Sequence, residues 1–187
     1  SRQRCRVGKL VQLILDQAHV MASSIDHYLS RARASGQQSA LGFRTSIRSV
    51  IEDLQFAVER LFRDRDIKVE LCSKGDCQFS REVQDLEEML GNLVENACKW
   101  ARQNVEIRCL IDGARLTLTV EDDGPGIAEK DFDTVLQRGN KLDEGSPGYG
   151  QGLGIVKDIA ELYGGSLRLG HSVLGGLKVE LELPAAT

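Results

Sequence analysis

The three prolines of this chain are Pro125, Pro147 and Pro184, so 124 residues precede the first of them. Proline breaks helix interiors and central strands, because it lacks an N–H and its ring clashes with the preceding turn. The first two-thirds of the chain is therefore free to form long uninterrupted elements, and the apolar periodicity says which ones. Val7, Val11, Ile14, Ala18, Met21, Ile25, Tyr28 and Ala32 alternate spacings of four and three, a heptad seam. A helix from about Gly8 to Ala34 would be roughly 40 Å long. Its seam needs a partner helix, from a second copy or from sequence outside this chain. Ser35-Gly36-Gln37-Gln38-Ser39 reads as a hinge or linker.

Further along, Ile47, Ile51, Leu54, Val58, Leu61 and Phe62 place one apolar face on a helix from about Phe43 to Arg65. Ile67 to Leu71 alternates as a strand, and a short strand is expected near Gln78-Phe79. A third helix is expected from about Glu82 to Arg102. Val105 to Ile111 and Leu116 to Val120 alternate around Asp112-Gly113, a hairpin signature. A last helix, from about Gly152 to Tyr163, ends at Gly164-Gly165, and strands Ser166 to Leu169 and Lys178 to Leu183 follow. Helices and strands mix without regular βαβ units, so the fold class is α/β, a two-layer α/β sandwich. The polar segment from Ile127 to Gly148 is long for a compact domain and reads as a lid, with a helical turn or two inside Asp131 to Leu136.

A net charge of −4 argues against a nucleic-acid binder, which would carry a basic excess. The five cysteines form no CxxC pair, so reduced thiols are expected rather than a disulfide framework or a zinc site. No run reaches the ~18 apolar residues of a membrane span, and no signal peptide opens the chain. The expectation is a soluble piece.

Three clusters carry chemistry. Asn92, Asn96 and Lys99 lie at i, i+4 and i+7 and share one helix face. Asparagine is a mediocre helix former, and its amide is costly to bury unpaired, so something polar is expected to dock there. Glu121-Asp122-Asp123-Gly124-Pro125-Gly126 follows a strand. Gly148-Tyr149-Gly150-Gln151-Gly152-Leu153-Gly154 precedes a helix, where free N–H groups and the dipole favour a phosphate. Asp123 would accept a hydrogen bond from an exocyclic amino group such as that of adenine. Gly124 and Gly126 would let a flat ring lie on the backbone. The asparagine amide oxygens suit Mg2+, and Lys99 suits phosphate oxygens. Together they suit ATP with Mg2+.

The order NLVENACKW, DDGPGI, a long polar segment, then GYGQGLGIVKDIAELYGG resembles the ATP-binding domain of sensor histidine kinases, which shares its fold with gyrase and MutL. The resemblance covers about Leu41 to Pro184 and is closest to PhoQ-type sensors. It implies a Bergerat-type ATP-binding catalytic domain over 39–187, after part of a dimerisation hairpin and a linker over 1–38. It implies Asn92 and Asn96 as catalytic and metal-binding asparagines, Asn96 foremost, with Lys99 on phosphate. Asp123, Gly124 and Gly126 become the first glycine box, with Ile127, Trp100 and Leu153 in the same nucleotide pocket. Gly148, Gly150 and Gly152 become the second box, and Arg138 and Lys141 the cations of the lid.

The implied activity is transfer of the γ-phosphoryl of Mg-ATP to a histidine on a dimerisation helix, then to a response-regulator aspartate. The full-length protein would dimerise through its N-terminal helix and sit in the inner membrane, with this part cytoplasmic. Neither His19 nor His27 has the flanking residues of the family's phosphoacceptor motif, so the acceptor helix is expected upstream of Ser1. An ATP-binding scaffold without transferase activity stays open as the alternative. His171 is expected to decorate a strand end. Glu88 is read as a surface charge or a partner of Asn92, and the cysteines as packing residues rather than sensors, with Cys98 the one to test for redox inhibition.

Overall fold

The computed structural model describes residues 44–72, 77–137 and 152–185. The expected heptad helix, and the dimerisation segment over 1–38, lie outside them. Residues 42–187 form one compact unit.

Helix α1 (Ile47–Leu61) is capped by the Ser46 hydroxyl, which accepts from the Ser49 N–H at 3.2 Å. It ends before a single tight turn, Arg63–Arg65, whose exit at Asp66 adopts the left-handed conformation (φ 51°). Helix α2 (Val83–Trp100) buries Leu86, Met89, Leu90, Leu93, Val94, Ala97 and Cys98 on one face. Helix α3 (Phe132–Val135) is one short turn, and α4 (Gly152–Leu162) buries Leu153, Val156, Ile159 and Ala160.

Against α1, α2 and α4 lies one five-stranded sheet of order β2-β4-β5-β7-β6. Its strands are β2 (Lys68–Leu71), β4 (Asn104–Asp112), β5 (Arg115–Asp122), β6 (Ser166–His171) and β7 (Leu177–Pro184). β2 runs parallel to β4, and the other neighbours are antiparallel. The β4–β5 hairpin turns at Gly113 (φ 56°) and pairs Val105 with Asp122 and Ile107 with Val120. Leu116, Leu118 and Val120 of β5 and Val179, Leu181 and Leu183 of β7 bury the helix-facing side. Thr117, Thr119, Glu180 and Glu182 occupy the other side, as period-two alternation requires. The two-layer α/β sandwich is what the sequence pattern leads one to expect.

One pairing is not in the sequence reading: β1 (Thr45–Ser46) pairs with β3 (Gln78–Phe79), and two-residue strands carry no periodicity to read. The expectation of reduced thiols needs correction. Cys77, next to β3, and Cys109 of β4 form a disulfide across 32 positions. Strand packing sets that pairing, and cysteine spacing along the chain does not encode it.

Candidate functional site

The site is built where α2, the end of β5 and the start of α4 meet. Period-two alternation along β5 points Leu116, Leu118 and Val120 toward the helices, and the next residue in that series is Asp122. Asp122 as a whole is 2 % exposed. Asp122 Oδ1 accepts from the Gly124 N–H at 2.8 Å and the Leu177 N–H at 3.3 Å, while the Asp122 carbonyl accepts from Gly176 at 3.0 Å. Oδ2 has no partner among the described residues. Burial pushes the Asp122 carboxyl above the usual carboxylate range, against the pull of the Gly124 and Leu177 N–H groups.

Two glycines are required here. A Cβ at Gly124 would overlap the Trp100 carbonyl oxygen and stand 2.8 Å from Asp122 Oδ1, and Gly126 adopts φ 68° with Gly176 packed against it. The loop therefore closes backbone to backbone against the end of α2.

Asp123, one residue later, faces away from this cluster. Oδ1 accepts from the Arg102 and Gln103 N–H groups at 2.7 and 3.0 Å. Oδ2 accepts from the Asn104 N–H at 3.0 Å and the Asn104 side-chain amide at 2.9 Å. Burial alone would raise its pKa, but these donors outweigh it and hold the carboxyl below the ordinary value. Both Asp123 oxygens are taken up by the loop after α2, whereas Asp122 is the carboxylate buried at the end of β5.

On α2, Asn92 Nδ2 donates to the Glu88 backbone carbonyl at 2.8 Å, so the Glu88 group that meets Asn92 is main chain. That turns Asn92 Oδ1 toward Gly152, the first residue of α4; a Cβ on Gly152 would lie 2.9 Å from it. The Asn96 amide has no partner among the described residues and is only partly buried. An amide oxygen is a hard donor of the kind Mg2+ takes together with phosphate oxygens and water, so the pair fits that cation. Lys99 Nζ lies 5.3 Å from the centre of the Trp100 ring, which is 41 % exposed. Leu153 is buried and Ile127 half-buried, both against the core.

The structure thus brings Asn92 to Gly152, and Trp100 to Gly124. Arg138, Lys141, Gly148 and Gly150 lie outside the described residues. Cys98 does not suit a redox role: it is fully buried, and burial pushes its thiol up to about 12, which suppresses the reactive thiolate. His171 does end a strand, with its ring tilted on Phe132 and Nε2 3.6 Å from Glu129. Tyr163, just past α4, donates its hydroxyl to the buried Asp85 of α2 and ties the two helices of the site together. Sequence reasoning had no signal for that pair, 78 positions apart.

Residues 81–187 match the family described as histidine kinase-, DNA gyrase B-, and HSP90-like ATPase. The sensor protein kinase CarS of Pseudomonas aeruginosa is 36% identical over 185 residues, which cover 97% of this chain and 40% of that protein. The sensor protein PhoQ of Escherichia coli K12 is 29% identical over 179 residues, 96% of this chain and 37% of that one. The solved mycobacterial sensor histidine kinase MprB superposes with a TM-score of 0.66 at 28% identity, over 78% of this chain and 98% of that chain. The chain therefore spans about two-fifths of the length of these curated relatives. No helix among the described residues is long and apolar enough to cross a membrane.

Proposed function

Since this chain belongs to the family of histidine kinase-, DNA gyrase B-, and HSP90-like ATPases, we propose that it is the nucleotide-binding part of a sensor kinase, which donates the γ-phosphoryl of ATP to a histidine. The observation that carries this reading is Asp122: a carboxylate buried at the end of β5, with one oxygen locked by the glycine loop and no partner for the other among the described residues. Such an oxygen accepts the exocyclic amino group of adenine. The acceptor role expected for Asp123 belongs to Asp122, because Asp123 is spent on the loop 102–104.

Around that anchor, Gly124 and Gly126 form the floor under the base and Trp100 with Ile127 its edges. Lys99 and the N-terminus of α4, from Gly152 and Leu153, attract phosphate oxygens. Asn96, with Asn92 Oδ1 beside it, would hold Mg2+, which neutralises phosphate charge when bound. The family resemblance assigns further phosphate contacts to Gly148, Gly150, Arg138 and Lys141.

Phosphoryl transfer needs positioning and charge neutralisation more than covalent participation by the protein. An imidazole nitrogen of the acceptor attacks the γ-phosphorus, the bond to the bridging oxygen breaks, and ADP leaves. An amide at position 92 cannot take a proton from water, which preserves ATP until that nucleophile arrives. The phosphoryl group then passes to a response-regulator aspartate. In the full-length protein the segment 1–38 pairs with its copy in a homodimer, and a membrane-anchored part places this domain in the cytoplasm.

The experiment is transfer of label from γ-labelled ATP to an acceptor-helix polypeptide carrying the phosphoacceptor histidine. Label on that histidine, lost in Asp122→Ala, supports the kinase. ATP binding with no transfer to any acceptor would instead establish the scaffold alternative.

A further inference from the structure

The short segment that leaves α2 is held at both ends by opposite charges that touch no other part of the site. At its start, Arg65 Nη1 donates to the carbonyls of Cys98 at 3.1 Å and Lys99 at 2.7 Å, and Nη2 donates to Ala101 at 2.6 Å. These are carbonyls that a helix end leaves without intrahelical partners, and a cation is favoured there. The guanidinium also sits 6.0 Å from the centre of the Phe62 ring, which limits its freedom. At the other end, the three successive N–H groups of Arg102, Gln103 and Asn104 converge on Asp123, an anion in a backbone nest. Lys68 N–H adds a bond to the Gln103 carbonyl at 2.7 Å. Trp100 lies within the stretch that Arg65 holds; its carbonyl packs against Gly124, and Gly124 N–H in turn donates to Asp122 Oδ1.

We propose that Arg65 and Asp123 are positioning residues for the nucleotide site: a two-charge brace that sets α2, with Asn96 and Lys99, against the glycine loop that carries Asp122. Neither residue meets the ligand. Arg65 spends three donated bonds on carbonyls, and Asp123 spends both oxygens on amides. Their effect passes through the Trp100–Gly124 contact, where no side chain exists to take up slack. A site held to a few tenths of an ångström loses affinity when its supporting groups loosen, even though every group that touches the ligand is intact.

This inference rests on the nucleotide reading above, and its test separates the two. A nonhydrolysable ATP analogue with Mg2+ is titrated calorimetrically into the full chain and into Arg65→Ala, Asp123→Ala, Arg65→Lys, Asp123→Asn and the double alanine variant. All titrations are run well below each variant's melting temperature. The alanine variants are expected to bind on the order of tenfold more weakly, with misplacement by ~1 Å able to cost up to ~10²-fold. Arg65→Lys and Asp123→Asn keep part of the bonding and should fall between these and the parent. The double variant should lose less than the product of the single losses, because both charges hold one segment.

A purely structural role would lower the melting temperature and leave the affinity of the folded protein unchanged. The brace is therefore overturned if folded variants bind within twofold of a parent chain that does bind. Should the alanine variants fail to fold, Arg65→Lys and Asp123→Asn decide by the same criterion. A parent chain that binds no nucleotide overturns the functional reading, and the brace with it.

Discussion

Replacing Asp122 by asparagine changes one oxygen into an NH2 group and removes one charge, with little change in volume. Asp122 Oδ1 serves the Gly124 and Leu177 N–H groups at 2.8 and 3.3 Å. An amide oxygen can serve both, so the glycine loop should keep its form. What the variant loses is the Oδ2 acceptor. A hydrogen bond to a charged group contributes about 1.5–3 kcal/mol, and a donor left facing a donor costs about 1–3 kcal/mol more. At ~1.4 kcal/mol per tenfold, affinity for ATP should fall by roughly two to four orders of magnitude.

Folding should respond in the opposite sense. Burial raises the Asp122 pKa in the folded chain, so the folded state holds this proton more tightly than the unfolded state does. Stability from this group then falls as pH rises from the unfolded carboxyl value, about 3.9, through the higher folded value, and stays reduced above it. Asp122→Asn lacks that penalty. At neutral pH it should melt no lower than the parent, and its stability should lack this decline across that window. Calorimetric titration beside thermal melts at stepped pH reads both effects. Binding within threefold of the parent, by a variant that is folded, would refute the assignment of the base-reading group.

Other consequences follow from individual contacts. Gly124→Ala forces a methyl against the Trp100 carbonyl and Asp122 Oδ1, so overpacking of about 1–3 kcal/mol should appear as a lower melting temperature together with weakened nucleotide binding. Tyr163→Phe leaves the buried Asp85 carboxylate without that donor. It should cost about 1–3 kcal/mol in urea unfolding, with nucleotide affinity far less affected than in Gly124→Ala. The Cys77–Cys109 bond closes 32 positions of chain, so its reduction should lower stability by roughly 3–4 kcal/mol. Intact mass before and after reductant, with Cys77→Ser as the control, checks that the melting shift belongs to this bond.

Much of the fold is legible in residue order because periodicity is a direct image of burial. The α2 stripe from Leu86 to Ala97, the β4–β5 alternation and the turn at Gly113 each follow from one-dimensional spacing. The adjacent acids Asp122 and Asp123 show where such reading stops. Asp122 ends the strand and Asp123 follows it, and only extending the alternation Leu116, Leu118, Val120 by one more step puts Asp122 on the buried face. The cleft's supports were not legible at all. Arg65 meets carbonyls up to 36 positions away, and Tyr163 meets Asp85 across 78. Such pairs depend on how elements pack, and no local pattern records that. Cys98 is a packing residue, as expected of the cysteines, fully buried among the core residues of α2.

The most direct test of the account uses the base itself. The chain is titrated with Mg2+ and nonhydrolysable analogues of ATP and of inosine triphosphate, in which the 6-amino donor becomes a carbonyl acceptor and the N1 acceptor becomes an N1–H donor. Asp122 Oδ2 should accept from the first and repel the second, so the adenosine analogue should bind at least about 100-fold more tightly, as for other sites that leave a buried polar group unpaired. Equal affinity for the two, or no binding of either, would contradict it.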